Sequence, residues 1–341
     1  MPSHGKQGTF VSKLPWGLLL AFAGLGVVVT VVLALGPGSD HGAPWLAIAS
    51  VVLAGWAMFL CERWLQNYVW GLVAALVLTL HPYFLRWANT GEVLLWAEAL
   101  GLVVLAAIIS SWRILFQKSF SPLAWIAIAL IVTSSIGIAW ILEPRMGLVT
   151  GILTLGALLL GSILAIRKHR EASLCWGNIS AAGFLAFLGP LGGLALAVVV
   201  MPHWHGFPRS TALPEICTVW DLLDAGFLPP ADSRGDLSLM VTEMERWGWS
   251  AILTVAMMVV GWWRSLRRGW KCWRRNLPPL AWVLTMFVLV DLAGILLHPP
   301  RAAGIALLSF APVAVLLNVF GVADLAQGLG ERLVLSPPHE R

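Results

Sequence analysis

Long apolar stretches separated by short polar connectors make up most of the chain. A helix needs about 20 such residues to cross roughly 30 Å of hydrocarbon. The stretches are continuous rather than alternating, which excludes the strands of a membrane barrel. The predicted spans are residues 15–36, 44–61, 69–88, 92–111, 122–142, 145–166, 179–201, 248–264, 279–297 and 302–322. The pattern therefore predicts an all-α, polytopic integral membrane bundle of about ten transmembrane helices.

Composition supports lipid as the solvent of this chain. Apolar residues are 59% of the sequence and charged residues only 11%, whereas soluble domains carry about 25% charged residues. The formal net charge is +5, but the basic residues fall in the connectors between apolar stretches. We therefore expect the lipid bilayer, and no nucleic acid, as the partner of the basic residues.

The distribution of Lys and Arg predicts the orientation. With the amino terminus inside, 16 of the 22 basic residues lie on the cytoplasmic side, as the positive-inside rule requires. Both termini are then cytoplasmic, and the first apolar stretch is expected to be a retained span. The resulting regions are a cytoplasmic amino terminus (1–14), a seven-helix membrane region (15–201), an extracytoplasmic loop (202–247), a three-helix membrane region (248–322) and a cytoplasmic tail (323–341).

Tryptophan is over-used, with 20 residues against 2 Tyr. Many lie where a span meets polar residues, the depth at which an amphipathic indole is most stable. The sequence predicts interfacial anchors at Trp16, Trp45, Trp64, Trp112, Trp125, Trp176, Trp249 and Trp282.

The long outer loop contains one amphipathic segment. In LPEICTVWDLLDAGFLPP, apolar residues recur at helical spacing while acids take the other positions. We expect a short helix that lies on the outer membrane surface. Its predicted apolar face consists of Leu213, Ile216, Val219, Trp220, Leu223 and Phe227.

Two carboxylates, Glu98 and Asp291, lie inside predicted spans, each about 9 Å from the outer end at 1.5 Å per residue. A carboxylate in a span costs a few kcal/mol, so it is a candidate site residue, although a protonated or helix-bonded structural acid is the alternative. His81, Arg86 and Glu92 lie at the outer rim of the same leaflet. A polar cavity open to the outside would hold all five.

Other sequence motifs give little chemistry. The chain has no P-loop, no GxGxxG, no GxSxG and no HExxH motif. His203 and His205 form an HxH pair, but the sequence offers no third ligand, so no metal site is assigned.

Residues 71–107, GLVAALVLTLHPYFLRWANTGEVLLWAEALGLVVLAA, resemble the third and fourth spans of membrane glycosyltransferases with the GT-C fold. That family includes the protein mannosyltransferases and the aminoarabinose and galacturonic acid transferases of bacterial envelopes. Its members show a span ending in proline, a turn with an arginine and small residues, and an acid opening the next span. The matching residues here are Pro82, Arg86, Asn89 and Glu92.

The resemblance implies transfer of a sugar from a polyprenyl-phosphate carrier to an extracytoplasmic acceptor, with a carboxylate base and often a divalent cation. A bacterial inner membrane is then the expected location. The family's base is an aspartate after the first span, which places Asp40 as the candidate catalytic base. The candidate substrate-binding residues are His81, Arg86, Asn89, Glu92, Glu98 and Asp291.

The chain departs from the family in its first outer loop, which is short and lacks a second acid. A relative that has lost activity is therefore one alternative. A transporter that conducts protons or cations along Glu98, Asp291 and His81 is a second alternative. A non-catalytic membrane subunit that binds partners through its spans and the 202–247 loop is the third.

Overall fold

The computed structural model describes residues 92–172, 174–204 and 217–227, with short pieces and single positions elsewhere. Regular structure in these three ranges is helical throughout, which confirms the all-α class for this part of the chain. The ten-span count and the cytoplasmic termini depend on residues outside this description. The helices are α1 (Glu92–Leu115), α2 (Pro122–Leu142), α3 (Pro144–Ala172), α4 (Trp176–Val200) and α5 (Val219–Phe227), with a 3-10 turn at Met201–His203 after α4.

Three of these helices are long and apolar enough to cross a membrane, at Pro122–Leu142, Pro144–Arg167 and Trp176–His203. A shorter apolar stretch, Ala99–Leu115, lies within α1. The predicted spans 122–142, 145–166 and 179–201 agree with them, since continuous apolar runs determine both. The protein is therefore a membrane protein.

Short connectors join the four long helices, so consecutive helices run antiparallel and α2 runs parallel to α4. The start of α1, the end of α2, the start of α3 and the end of α4 share one end of the bundle. We call this the outer end, and it carries Glu143 and Arg145. The opposite, inner end carries Arg113, Lys118 and Arg167, as expected for a cytoplasmic face.

Glycines allow α2 and α4 to pack closely. A Cβ atom on Gly193 would lie 2.7 Å from Cγ2 of Ile136, and one on Gly137 would lie 3.0 Å from the carbonyl oxygen of Gly193. Real Cβ atoms almost never approach as closely as on Gly193 and seldom as closely as on Gly137, so a larger residue at Gly193 would push the two helices apart. Small residues at such contacts are a common device of membrane helices, where dispersion between closely packed backbones replaces the hydrophobic effect.

The core lies between the four long helices and includes two tryptophans. Trp112 is 2% exposed, and its indole Nε1 donates a 3.2 Å hydrogen bond to the carbonyl oxygen of Ala157. Trp125 is also buried, and its Nε1 donates to Oδ1 of Asn178. The prediction that these two anchor the chain at the lipid interface is wrong, because each polar indole N–H has a partner inside the bundle. Trp176 is 54% exposed, as predicted for an interfacial residue.

Candidate functional site

The structure describes only a small part of the site predicted from sequence. Glu92 is the first residue of α1, and Glu98 lies in the same helix. Their side chains lie outside the description. The other predicted site residues also lie outside the described residues: Asp40, His81, Arg86, Asn89 and Asp291. Whether these groups converge on one cavity therefore stays a prediction.

A carboxyl group that the sequence analysis did not assign to the site lies at the outer end. Glu143 is the single residue between α2 and α3. Its backbone N–H donates a 2.8 Å hydrogen bond to Ala139, and its carbonyl oxygen accepts one of 3.1 Å from Gly147. Glu143 itself has an extended backbone, with φ −149° and ψ 100°. The last turn of α2 and the first turn of α3 thus share this residue, which holds its side chain at a rigid corner.

Trp140 fills the space beneath this corner. A Cβ atom on Gly147 would lie 2.6 Å from the Trp140 ring, and one on Gly226 would lie 2.8 Å from the opposite part of the same side chain. The indole is 4% exposed. Gly147 on α3 and Gly226 on α5 therefore both contact this side chain, and the contact at Gly226 fixes α5 against the outer end.

A capping box begins α5. The Asp221 carboxylate accepts hydrogen bonds of 2.7 Å from both the backbone N–H and the hydroxyl of Thr218. The Thr218 hydroxyl oxygen in turn accepts a hydrogen bond of 3.3 Å from the Asp221 backbone N–H. This reciprocal pair satisfies donors that a helix start leaves without intrahelical partners.

One face of α5 packs on the bundle, and another carries exposed apolar side chains. Leu222 and Gly226 are buried, whereas Trp220 is 78% exposed and Phe227 is also exposed. The helix covers only Val219–Phe227, not the whole amphipathic segment. Val219, Trp220 and Phe227 belong to the predicted apolar face and are exposed, so contact of this face with the membrane surface stays a prediction. The fit of Gly226 against Trp140 determines which side of the helix faces the bundle.

Burial changes the acidity of Glu143. Removal of the carboxyl group from water raises its pKa above the ordinary value of 4.5, and the nearby positive charge of Arg145 partly opposes this effect. On α5, the hydrogen bonds from Thr218 lower the pKa of Asp221, because they stabilise its charged form. The outer end thus holds one carboxyl group with a raised pKa, Glu143, and one with a lowered pKa, Asp221.

This arrangement can exchange a proton or bind a hydroxyl group. A carboxyl group with a raised pKa is suited to proton transfer, and a neighbouring guanidinium favours anionic ligands. Within the described ranges, no group of three or more His, Cys, Asp or Glu residues is placed to hold a metal ion.

A second polar cluster lies at the inner end and centres on Asn178. Its side chain is fully buried. Nδ2 donates to the carbonyl oxygens of Ile114, Gln117 and Ser119 at 3.0, 3.3 and 2.9 Å. Oδ1 accepts the 3.0 Å hydrogen bond from Trp125. One amide therefore joins the end of α1, the following loop and α2 to the start of α4.

The sequence analysis gave no role to Glu143 and did not select Asn178. For Glu143, the signal was a lone acid directly followed by Pro144 between two apolar runs, which leaves no room for a solvated loop. For Asn178, the signal was an amide at the start of an apolar run. Neither pattern specifies the partners.

No family model, curated protein or solved structure matches this chain.

Proposed function

We propose that the protein is an integral-membrane glycosyltransferase-like protein of the bacterial inner membrane. It transfers a sugar from a polyprenyl-phosphate donor to an acceptor on the extracytoplasmic side. The observation that carries the proposal is the start of α1 at Glu92, directly after the segment that holds Arg86 and Asn89. A carboxylate that opens a span after such a turn is the feature on which the GT-C resemblance rests.

The proposed reaction is an inverting displacement at the anomeric carbon. Asp40 accepts the proton of the acceptor hydroxyl or amine as that atom bonds to the anomeric carbon. The bond between the anomeric carbon and the phosphate oxygen breaks, and the polyprenyl phosphate leaves with the electron pair. Arg86 or His81 stabilises the charge of the departing phosphate. A divalent cation, if the protein binds one, would also stabilise the charge of the departing phosphate.

The remaining residues bind the sugar. Asn89 and Glu92 lie at the outer rim and are suited to hydrogen bonds with sugar hydroxyls. Glu98 and Asp291 lie deeper in the same leaflet, where a polar cavity offsets the cost of a carboxylate within a span. Glu143 supports the proposal because it adds a half-buried acid to the outer end, where α1 begins.

The test is sugar transfer in proteoliposomes that contain undecaprenyl phosphate carrying mannose, aminoarabinose or galacturonic acid. Release of undecaprenyl phosphate is measured together with the glycosylated acceptor. Asp40→Asn should lower the rate about 10²–10⁴-fold, the usual contribution of a general base. Glu92→Gln should weaken donor binding. Asp224→Asn, which removes an exposed carboxylate on α5, is the matched control and should transfer at the wild-type rate.

Two results would contradict the proposal. No transfer with any donor would exclude the enzymatic function and leave a transporter or a non-catalytic subunit. Transfer that Asp40→Asn does not change would remove Asp40 as the base. Proton uptake by the same proteoliposomes separates the remaining alternatives, since a transporter should lose uptake in Glu98→Gln while a non-catalytic subunit shows none.

A further inference from the structure

The loop between α1 and α2, residues 116–121, has a fixed backbone. The carbonyl oxygens of Gln117 and Ser119 accept hydrogen bonds from the buried side-chain amide of Asn178. The carbonyl oxygen of Gln117 also accepts a 3.3 Å hydrogen bond from the backbone N–H of Cys175. The polar backbone of the loop is therefore turned towards the bundle, and its conformation is set before any ligand binds.

Residues 117–120 of this loop present their side chains outwards. Gln117, Lys118 and Ser119 are exposed, and Phe120 is 50% exposed. Phe120 lies on Gly177, where an added Cβ atom would come within 2.8 Å of its ring. The neighbouring Trp176 is also exposed. Two aromatic rings and an ammonium group thus share one surface at the inner end, which we call the loop platform (Lys118, Phe120, Trp176).

The charge around the loop platform is strongly positive. The inner end holds five basic residues on α1, α3 and their connectors, against one carboxylate, Glu171. The basic residues are Arg113, Lys118, Arg167, Lys168 and Arg170. Of these, Arg113, Lys118 and Arg167 have exposed side chains. Such a field favours an anionic partner over a neutral one.

Apolar surface continues from the loop platform along two spans. On α2, Leu123 is 80% exposed, and Ile126 and Leu130 follow at helical spacing with large exposed fractions. On α4, Phe184 and Leu188 are exposed in the same way. Because α2 and α4 are parallel, both apolar faces start at the inner end. A ligand that combines a negative head with apolar tails matches this order of surfaces.

We propose that the loop platform, together with Arg167 at the same end of the bundle, binds the headgroup of an anionic phospholipid. Lys118 and Arg167 contact the phosphate and the negative headgroup, Phe120 and Trp176 lie at headgroup depth, and the acyl chains lie along α2 and α4. A zwitterionic lipid offers the same tails, but its positive amine cancels the attraction of the phosphate for the basic residues. This lipid site is independent of sugar transfer and does not require the proposed active site.

The test is native mass spectrometry of the full-length protein in detergent with equimolar phosphatidylglycerol and phosphatidylcholine. Wild type should retain phosphatidylglycerol in preference to phosphatidylcholine. Lys118→Gln should lower this preference about fivefold, and Lys118→Gln with Arg167→Gln about 25-fold, since each basic residue near a membrane surface contributes a factor of about five. Both residues are exposed, so thermal melting of the variants should match wild type.

Arg209→Gln is the matched control, because it removes one positive charge from the predicted opposite side of the membrane. It should leave the preference for phosphatidylglycerol unchanged. Equal retention of both lipids by wild type would overturn the proposal, as would an equal effect of Arg209→Gln and Lys118→Gln. Displacement of phosphatidylglycerol by inorganic phosphate at the same concentration would overturn the assignment of a lipid ligand.

Discussion

The indole Nε1 of Trp125 donates a hydrogen bond of 3.0 Å to Oδ1 of Asn178, across 53 residues of sequence. Both side chains are buried. The same asparagine donates to three carbonyl oxygens at the end of α1 and in the loop after it. A helix end and a loop that would otherwise need water are thereby satisfied inside the bundle.

We expect Asn178→Ala to lower the free energy of unfolding by about 1–3 kcal/mol, because Trp125 and the loop carbonyls lose a buried partner. Unfolding by sodium dodecyl sulfate in mixed micelles measures this difference. Ser180→Ala is the control, since Ser180 is an exposed polar residue one half-turn further along α4. Its effect should stay within about 0.5 kcal/mol. Equal stability of the two variants would contradict a structural role for Asn178.

Two helical glycines should respond in opposite ways to alanine. On Gly147 the new methyl group would meet Trp140 at 2.6 Å, including backbone at 2.8 Å, and Gly147→Ala should destabilise the protein by about 1–3 kcal/mol. Gly183 has nothing within 4 Å of such a methyl group. Gly183→Ala should be neutral or stabilising by up to about 1 kcal/mol, the gain in helix propensity. Thermal unfolding in detergent distinguishes the two, and a destabilised Gly183→Ala would show that another surface covers this face.

The helices of the described region could be predicted from sequence because lipid imposes one simple rule. A continuous apolar run must satisfy its backbone internally, so its length and its polar ends determine the span. The bounds of α2 at Pro122 and Leu142 follow directly from Ser121 and Glu143 on either side. Tertiary contacts obey no comparable rule. An indole at the end of a span can pack equally well against lipid or against another helix. The sequence therefore does not distinguish the buried Trp125 from the exposed Trp176.

The candidate site was less predictable for the same reason. Asn178 depends on carbonyl groups about 60 positions earlier, and Pro144, next to Glu143, contacts Gly226 of α5 much later in the chain. A local pattern cannot contain partners at such separations. The prediction that His81, Arg86, Glu92, Glu98 and Asp291 share one cavity has the same dependence on distant packing, and it rests on their depth in the membrane alone.

We expect stability to fall as pH rises through the raised pKa of Glu143. The folded state keeps the proton on Glu143 to a higher pH than the unfolded chain does, where the group has its ordinary pKa of about 4.5. The folded state therefore binds more protons between these two values, and the free energy of unfolding declines across that interval and stays lower above it. Glu143→Gln, a neutral analogue of the protonated acid, should remove this decline and be more stable than wild type at pH 8.

The measurement is thermal unfolding in detergent from pH 4 to pH 8. Asp224→Asn is the matched control, because it removes a carboxylate on α5 that is exposed to solvent. It should keep the wild-type decline. If Glu143→Gln and wild type have parallel profiles, burial of Glu143 does not influence folding in this range.

The predicted orientation places Ser119 in the cytoplasm and Asp224 outside, at opposite ends of the described bundle. Both side chains are exposed, so Ser119→Cys and Asp224→Cys should each accept a maleimide when the reagent can reach them. The native thiols Cys61, Cys175, Cys217 and Cys272 are first replaced by serine or alanine. In intact cells an impermeant maleimide should label position 224 and spare position 119, and both should react after the membrane is opened.

Labelling of position 119 but not of position 224 in intact cells would show that the chain has the opposite orientation in the membrane. It would contradict the extracytoplasmic site at Glu92, because α1 begins at the end of the bundle where α5 packs, and it would move the lipid site at Lys118 to the opposite leaflet.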